Sequence, residues 1–177
     1  MSQGSPVDSV ISNTSAGSKL PANAGNTEKL LEYYSVDILD SFNKRDLDYP
    51  TIRYGSDDYQ FECIQNDGSL LELDAPGMKK LREWFFVEHC PQAYGEVLDV
   101  MVHLDELNGN ADVWVTYTMH NDKLSLSREK VTIFFWKRRR VHGTGEYPGE
   151  QRWEWVKEYT SAGTASVAGD ANLGWSD

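Results

Sequence analysis

Apolar and polar residues alternate along four long stretches in the second half of the chain, at 96–104, 111–119, 128–139 and 152–160. Alternation with a period of two predicts β-strands, and a shorter alternating stretch at 59–64 predicts one more strand between the two helices described next. Two earlier stretches, 27–42 and 78–90, repeat their apolar residues every three to four positions and predict α-helices. Helices followed by a run of strands predict an α+β fold, with the helices gathered on one face of a mostly antiparallel sheet.

The alternation also predicts which face of each strand is buried. The first two long strands direct aliphatic residues and one tyrosine towards the core: Leu98, Val100, Val102 and Leu104, then Ala111, Val113, Val115, Tyr117 and Met119. In the third strand the predicted core residues are Val131, Ile133 and Phe135. The residues between them, Thr132, Phe134 and Trp136, are then predicted to lie on the outer face.

Aromatic residues collect on that predicted outer face. Trp114, Phe134 and Trp136 form an exposed patch there if the face assignment is right. An exposed apolar patch of this size usually marks an interface, so we expect a homodimer formed sheet to sheet. The alternative is that the C-terminal tail or a loop of the same chain covers the patch.

Both ends of the chain differ from its middle in composition. Residues 1–25 are rich in Ser, Gly, Asn and Ala, and too few are apolar to offset the entropy of ordering the chain. We therefore predict a disordered N-terminal tail at 1–25 and a flexible C-terminal tail at 162–177. Residues 26–161 are predicted to form one folded domain.

Composition excludes several classes of function. The net charge of −11 argues against a nucleic-acid partner, because phosphate binding needs clustered Lys and Arg. No stretch approaches the ~20 apolar residues of a membrane span, and the first residues lack the apolar segment of a secretory signal. Cys63 and Cys90 have no metal-site spacing, and no Gly-rich phosphate loop occurs. We expect a cytoplasmic protein without a metal or cofactor.

Five short strings, in this order, resemble a known family. They are 89–93 (HCPQA), 96–98 (EVL), 111–115 (ADVWV), 131–138 (VTIFFWKR) and 153–157 (WEWVK). The chain resembles SnoaL-like members of the nuclear transport factor 2-like superfamily, in the version common in filamentous fungi. The resemblance implies a cone-shaped α+β barrel, in which a curved sheet wraps around the helices and encloses an apolar pocket.

The superfamily includes polyketide cyclases, scytalone dehydratase and steroid isomerases, but also non-enzymatic binding and dimerisation domains. Scytalone dehydratase-like enzymes carry a Tyr and an Asp near the end of the first helix. This chain has Phe42 and Asn43 at those positions, and Glu96 where a strand His would stand. The dehydratase activity is therefore not assigned, and the function has to be inferred from the pocket.

The implied pocket supplies the candidate catalytic residues. On the predicted faces, Glu96, Tyr34 and Tyr117 point into it. A carboxylate in an apolar cavity suits a general base that removes a proton next to a carbonyl. Glu96 is then the base, and Tyr34 and Tyr117 polarise the carbonyl. The alternatives are a solvated Glu96 at a strand end and two tyrosines that belong to the core.

Two functions remain open. The first is a cofactor-free cyclase, dehydratase or isomerase acting on an apolar secondary metabolite such as a polyketide. The second is a non-catalytic ligand-binding or dimerisation module, favoured by the missing dyad and the outer aromatic face. The expected ligand-binding residues are Tyr33, Ile38, Trp84, Glu88 and Val115.

Overall fold

The structure is a computed structural model that describes residues 27–65, 68–121, 127–140 and 151–161. The predicted tails, 1–25 and 162–177, lie outside the described residues. No helix in the described part of the chain is long and apolar enough to cross a bilayer.

Helices and strands follow the order that the sequence predicts, with two additions. The elements are α1 (Thr27–Asn43), α2 (Tyr49–Tyr54), β1 (Gly55–Ile64), β2 (Leu70–Asp74), α3 (Ala75–Glu83), a π-helix (Trp84–His89), β3 (Tyr94–Asp105), β4 (Asn110–His120), β5 (Arg128–Arg140) and β6 (Gln151–Ser161). The pattern did not predict α2 or β2. Proline is tolerated in the first turn of a helix, where its missing N–H would have no intrahelical partner, so Pro50 is compatible with the start of α2.

The described strands form one curved sheet in the order β2-β1-β6-β5-β4-β3. Neighbouring strands are antiparallel except β1 and β6, which are parallel. The predicted α+β fold is confirmed, but the barrel is not. β2 and β3 remain at opposite edges of an open sheet, and the helices pack against its inner face.

A β-bulge in β3 changes which of its residues face the core. The pairing with β4 shifts between Val97 and Asp99, so one extra residue is inserted there. Val100, Val102 and Leu104 face inwards as predicted, but before the bulge Gly95 and Val97 take the inner positions and Leu98 is exposed. Because side chains alternate between faces, one inserted residue exchanges the two faces upstream of it.

The predicted outer residues of β5 lie on its core face instead, although Ile133 is buried as predicted. Thr132, Phe134 and Trp136 are fully buried, and they pair with Val115, Val113 and Ala111 of β4, in that order. Directly paired residues share a face, so Thr132, Phe134 and Trp136 belong to the core face. The prediction failed because the other face of β5 carries Val131, Ile133 and Phe135, which are equally apolar.

The helices are fixed to the inner face by apolar packing and a few polar contacts. In α1, Leu31, Ile38 and Phe42 are buried, and the Trp136 indole N–H donates to the Ser35 hydroxyl at 3.1 Å. The Asp74 carboxylate caps the start of α3 by accepting from the Gly77 N–H at 2.8 Å. The inner row of α3 and the π-helix consists of Met78, Arg82 and Phe86, each four residues from the next.

Candidate functional site

A cavity of about 120 Å³ lies between the inner face of the sheet, the C-terminal end of α1, and α3 with its π-helix. Most of its wall is apolar: Leu39, Phe42, Phe61, Met78, Phe86 and Met119. Its polar wall residues are Asn43, Arg82, Tyr117, Glu158 and Thr160. A largely apolar cavity with a few converging polar groups is the usual form of a small-molecule site.

An ion pair lies at the cavity wall. The Arg82 Nη2 is 2.6 Å from the Glu158 Oε2, and the two residues are 3% and 4% exposed. The Arg82 guanidinium also stacks over the Phe42 ring at 4.1 Å. Taking both charges out of water is costly, and a buried pair is seldom the most stable choice for its position. Such a pair in a cavity is therefore a candidate for function.

Glu158 is held by further hydrogen bonds. The Tyr59 hydroxyl donates to the same Oε2 at 3.1 Å, and the Thr160 hydroxyl lies 3.4 Å from Oε1. Burial raises the pKa of the Glu158 carboxyl, although the Arg82 charge opposes that rise. Burial, reinforced by the negative charge of Glu158, raises the pKa of Tyr59 well above its usual value. The Tyr59 hydroxyl is therefore a donor at neutral pH.

The network continues across the sheet to Tyr117. The Thr160 and Thr132 hydroxyls are 2.9 Å apart, and the Thr132 hydroxyl donates to the Tyr117 hydroxyl at 3.4 Å. Burial raises the pKa of Tyr117 to about 12, so this hydroxyl also keeps its proton at neutral pH. A continuous chain of hydroxyl groups, from Thr160 through Thr132, thus joins Glu158 to Tyr117, and both end residues line the cavity.

One donor in this site has no partner. The Arg82 Nε is buried, and no group among the described residues accepts from it. A buried donor left unsatisfied costs about 1–3 kcal/mol. The site therefore has an unused donor on a residue that lines the cavity.

Asn43 is one of the polar residues of the cavity wall. Its amide donates to the Gly95 carbonyl at 2.8 Å and accepts from the Gly95 N–H at 2.8 Å. These two bonds join the end of α1 to the inner side of β3. A Cβ atom at Gly95 would lie 3.2 Å from the Tyr117 ring, so a larger residue there would push against that ring.

Of the predicted site residues, Tyr117 lines this cavity. Ile38 and Val115 are fully buried in the core, and Trp84 is half-buried and stacks on His89 at 4.5 Å. Glu88 is exposed on the π-helix. The structure does not bring these four together at the cavity.

Tyr34 belongs to a separate cluster. Its ring packs on Tyr54 at 4.7 Å and on Trp136 at 5.7 Å, with Tyr33 beside it at 6.0 Å. The buried Asp37 carboxylate accepts from the Tyr54 hydroxyl at 2.7 Å and also from that of Tyr49. Burial and this hydrogen bond raise the pKa of Tyr54. We interpret the cluster as the contact that holds α2 against α1.

The predicted position of Glu96 is wrong. Its side chain is 62% exposed on the outer face, where its Oε2 lies 2.9 Å from the His120 Nε2. The bulge in β3 is the reason, since it exchanges the faces upstream of Asp99. Glu96 therefore does not line the apolar cavity, and its predicted role as the base there has no support from the structure.

The carboxylate and the cation that line the cavity belong to Glu158 and Arg82, which the sequence analysis did not single out. In β6 the pairing with β5 shifts between Trp155 and Lys157, so a bulge precedes Glu158. Strict alternation from the buried Trp155 would therefore place Glu158 on the outer face. For Arg82 a signal does exist. It occupies the middle of the row Met78, Arg82 and Phe86, and a charge in a buried helical row requires a buried partner.

The predicted outer patch needs correction as well. Phe134 and Trp136 are buried under the helices, while Trp114 is 41% exposed on the outer face. Leu98 and Met101 are the exposed apolar residues nearest to it on β3, and Met101 pairs directly with Trp114. In the described ranges, no three His, Cys, Asp or Glu side chains are arranged to hold a metal.

Solved structures identify this architecture. An uncharacterised protein with a cystatin-like fold from Caulobacter vibrioides superposes with a TM-score of 0.57 at 8% identity, covering 75% of this chain and 87% of that one. A nuclear transport factor 2-like protein of unknown function from Pseudomonas putida gives 0.56 at 12% identity, covering 76% and 84%. The chain has the nuclear transport factor 2-like fold.

A candidate dehydratase of the nuclear transport factor 2-like family from Streptomyces avermitilis is also similar, with a TM-score of 0.52 at 10% identity, covering 76% of this chain and 94% of that one. At such identities the nuclear transport factor 2-like likeness concerns the fold and not the activity. No protein-family model and no curated protein matches the sequence.

Proposed function

We propose that the protein binds a small, mostly apolar molecule with a carbonyl group in the cavity and moves a proton on it. The observation that carries this proposal is the unpartnered Arg82 Nε beside the buried Glu158 carboxyl. The Nε is buried in the ligand-free protein, so the cavity wall has to open slightly at Arg82 before a carbonyl oxygen can accept from this nitrogen and remove the cost of the unsatisfied donor. The apolar wall would hold the rest of the molecule.

The size of the cavity limits the ligand. Its volume of about 120 Å³ is close to the roughly 150 Å³ that holds a benzene molecule in an apolar cavity. A single ring or a short branched chain fits. A fused polycyclic polyketide would require α3 and the π-helix to move outwards.

The chemistry that suits this site is proton transfer next to the carbonyl. The Glu158 carboxylate takes a proton from the adjacent carbon, and the electron pair of the broken C–H bond moves to the carbonyl oxygen. The Arg82 guanidinium stabilises the negative charge that develops there. Returning the proton elsewhere isomerises the molecule, and expelling a leaving group completes an elimination. The raised pKa of Glu158 favours both steps, because a base works best near the operating pH.

This chemistry is that of a cofactor-free lyase or isomerase. Assignment to the SnoaL-like family and to fungal secondary metabolism remains a prediction from the sequence resemblance, and the cytoplasmic location remains a prediction from the composition.

A second candidate function is a non-catalytic dimerisation module. The exposed Leu98, Met101 and Trp114 on the outer face favour it, because exposed apolar residues in a cluster mark interfaces. The homodimer and the cavity are compatible with each other, since they use opposite faces of the sheet. Sedimentation equilibrium of wild type and Trp114→Ala distinguishes a dimer through this face from a monomer.

Calorimetric titration with cyclohexanone and with methylcyclohexane tests the cavity proposal. The two probes have similar size, but only the ketone has an acceptor. We expect the ketone to bind more tightly to the wild type, and Arg82→Met to weaken ketone binding about tenfold or more, the effect of losing a hydrogen bond to a charged donor. Lys79→Met, in the same helix, is the matched control, because Lys79 is exposed and pairs with Asp48 at the surface.

A second experiment with the same ketone measures proton transfer. In D2O, wild type is expected to exchange the hydrogens next to the ketone carbonyl faster than Glu158→Gln does. Equal affinity for the ketone and the hydrocarbon would contradict the role of Arg82. Ketone binding without faster exchange would support the ligand site and contradict the catalytic step.

A further inference from the structure

Glu96, His120 and Ser127 meet on the outer face of the sheet, at the end remote from the β3–β4 turn. The His120 Nε2 lies 2.9 Å from the Glu96 Oε2, and its Nδ1 lies 3.0 Å from the Ser127 hydroxyl oxygen. The three residues come from β3, β4 and the position before β5. None of them lines the cavity, so this group is separate from the proposed ligand site.

The sheet explains why the side chains meet. Tyr94 pairs with His120 and Glu96 pairs with Thr118, so Glu96 is the diagonal neighbour of His120 on the same face. Ser127 comes just before Arg128, which pairs with Met119, and this register continues to His120. Adjacent strands are about 4.8 Å apart, which brings side chains at these positions within hydrogen-bonding distance.

The two contacts determine where the imidazole proton is. A carboxylate can only accept, so the neutral His120 ring carries its proton on Nε2, facing Glu96. The Nδ1 is then an acceptor, and the Ser127 O–H points at it. The Tyr94 ring stacks on the imidazole with centroids 4.8 Å apart and 22° between the planes, which fixes the orientation of the ring.

We propose that Ser127 is a nucleophile activated by His120, with Glu96 as the positioning residue, and that it accepts the acyl group of an activated ester. A hydroxyl, a base that contacts it and a third group that orients the base form the general arrangement of an activated nucleophile. Ser127 is exposed, so an ester in solution reaches it. This activity goes beyond the proton transfer proposed for the cavity and does not depend on it.

The acyl transfer balances without a further reagent. The Ser127 oxygen forms a bond to the ester carbon while its proton passes to the His120 Nδ1. The ester C–O bond breaks, and the leaving alcohol takes that proton. Glu96 stabilises the transient imidazolium without accepting the proton. Water later releases the acyl group in the reverse sequence.

The test is incubation of the full-length protein with p-nitrophenyl acetate, followed by release of nitrophenolate and by peptide mapping of the acetyl group. We expect an acetyl group on Ser127, no acetyl group at this position in Ser127→Ala, and a rate at least about a hundredfold lower in His120→Gln. His103→Gln is the matched control, because His103 is another exposed histidine on the same face, and it should leave the rate unchanged.

The role of Glu96 is tested by NMR of the His120 imidazole. In Glu96→Gln, the ¹⁵N NMR shifts of His120 should show a changed distribution of the proton between the two ring nitrogens, together with slower acetylation of Ser127. A purely structural role would leave the shifts as in wild type. Acetylation of lysines alone, or a rate on Ser127 that is the same in His120→Gln, would overturn the proposal.

Discussion

Replacing Arg82 with methionine is expected to lower the free energy of unfolding by about 3–5 kcal/mol at neutral pH, because it leaves the Glu158 carboxylate buried without its cation. Urea unfolding of both proteins measures the difference. Lys79→Met removes a cation of the same helix from an exposed pair and should leave the unfolding midpoint close to that of wild type. A loss below about 1 kcal/mol in Arg82→Met would contradict the assigned ion pair.

The destabilisation of Arg82→Met should depend on pH. The pKa of Glu158 is raised in the folded protein, and removing Arg82 removes the charge that opposes the rise. A group with a raised folded pKa contributes stability that is complete below its unfolded pKa of about 4.3 and is lost as the pH rises through the folded value. We therefore expect the difference from wild type to be smaller near pH 4 than near pH 7. Adding Glu158→Gln to Arg82→Met should restore part of the lost stability at neutral pH.

Trp136→Ala is expected to cost about 3–5 kcal/mol, whereas the same change at Trp114 should cost far less. Trp136 is 1% exposed, packs beneath α1 and donates to Ser35, so its removal leaves a large void and an unpaired hydroxyl. Trp114 is 41% exposed on the opposite face. Both residues are tryptophans in neighbouring strands, so the difference between the two variants reports which face of the sheet is buried.

Chemical unfolding of the two tryptophan variants decides which face of β5 is buried: the face with Trp136, as the structure shows, or the opposite face, as the sequence predicted. If Trp114→Ala were the more destabilising variant, Trp136 would lie outside the core and the register of β4 with β5 would be wrong. If both variants were equally mild, neither tryptophan would be in a packed core.

The type and order of the main elements could be predicted from the sequence, because period and turn residues are local properties. The faces of the strands could not all be predicted. In β3 the bulge after Val97 exposes Leu98 and Glu96, and in β6 a second bulge turns Glu158 inwards. Each bulge depends on pairing with a neighbouring strand, so no periodicity within one strand reveals it.

The site was predicted less well than the fold for the same reason. Tyr117 lies on the predicted core face and lines the cavity, because β4 alternates without interruption along its length, while its role as a donor stays a prediction. The Arg82–Glu158 pair joins residues 76 positions apart, and neither residue predicts the other without the fold. Alternation assumes that charged residues face water, and a buried ion pair in the core is an exception to that assumption.

The NMR signal of the Arg82 Nε–H group reports on the cavity most directly. This donor is buried and has no acceptor among the described residues, so in the free protein its signal should be distinct and protected from water. Titration with cyclohexanone should shift it along a saturating curve with the calorimetric affinity, and methylcyclohexane should leave it nearly unchanged. A signal that stays in place at saturating ketone would contradict a carbonyl site at Arg82.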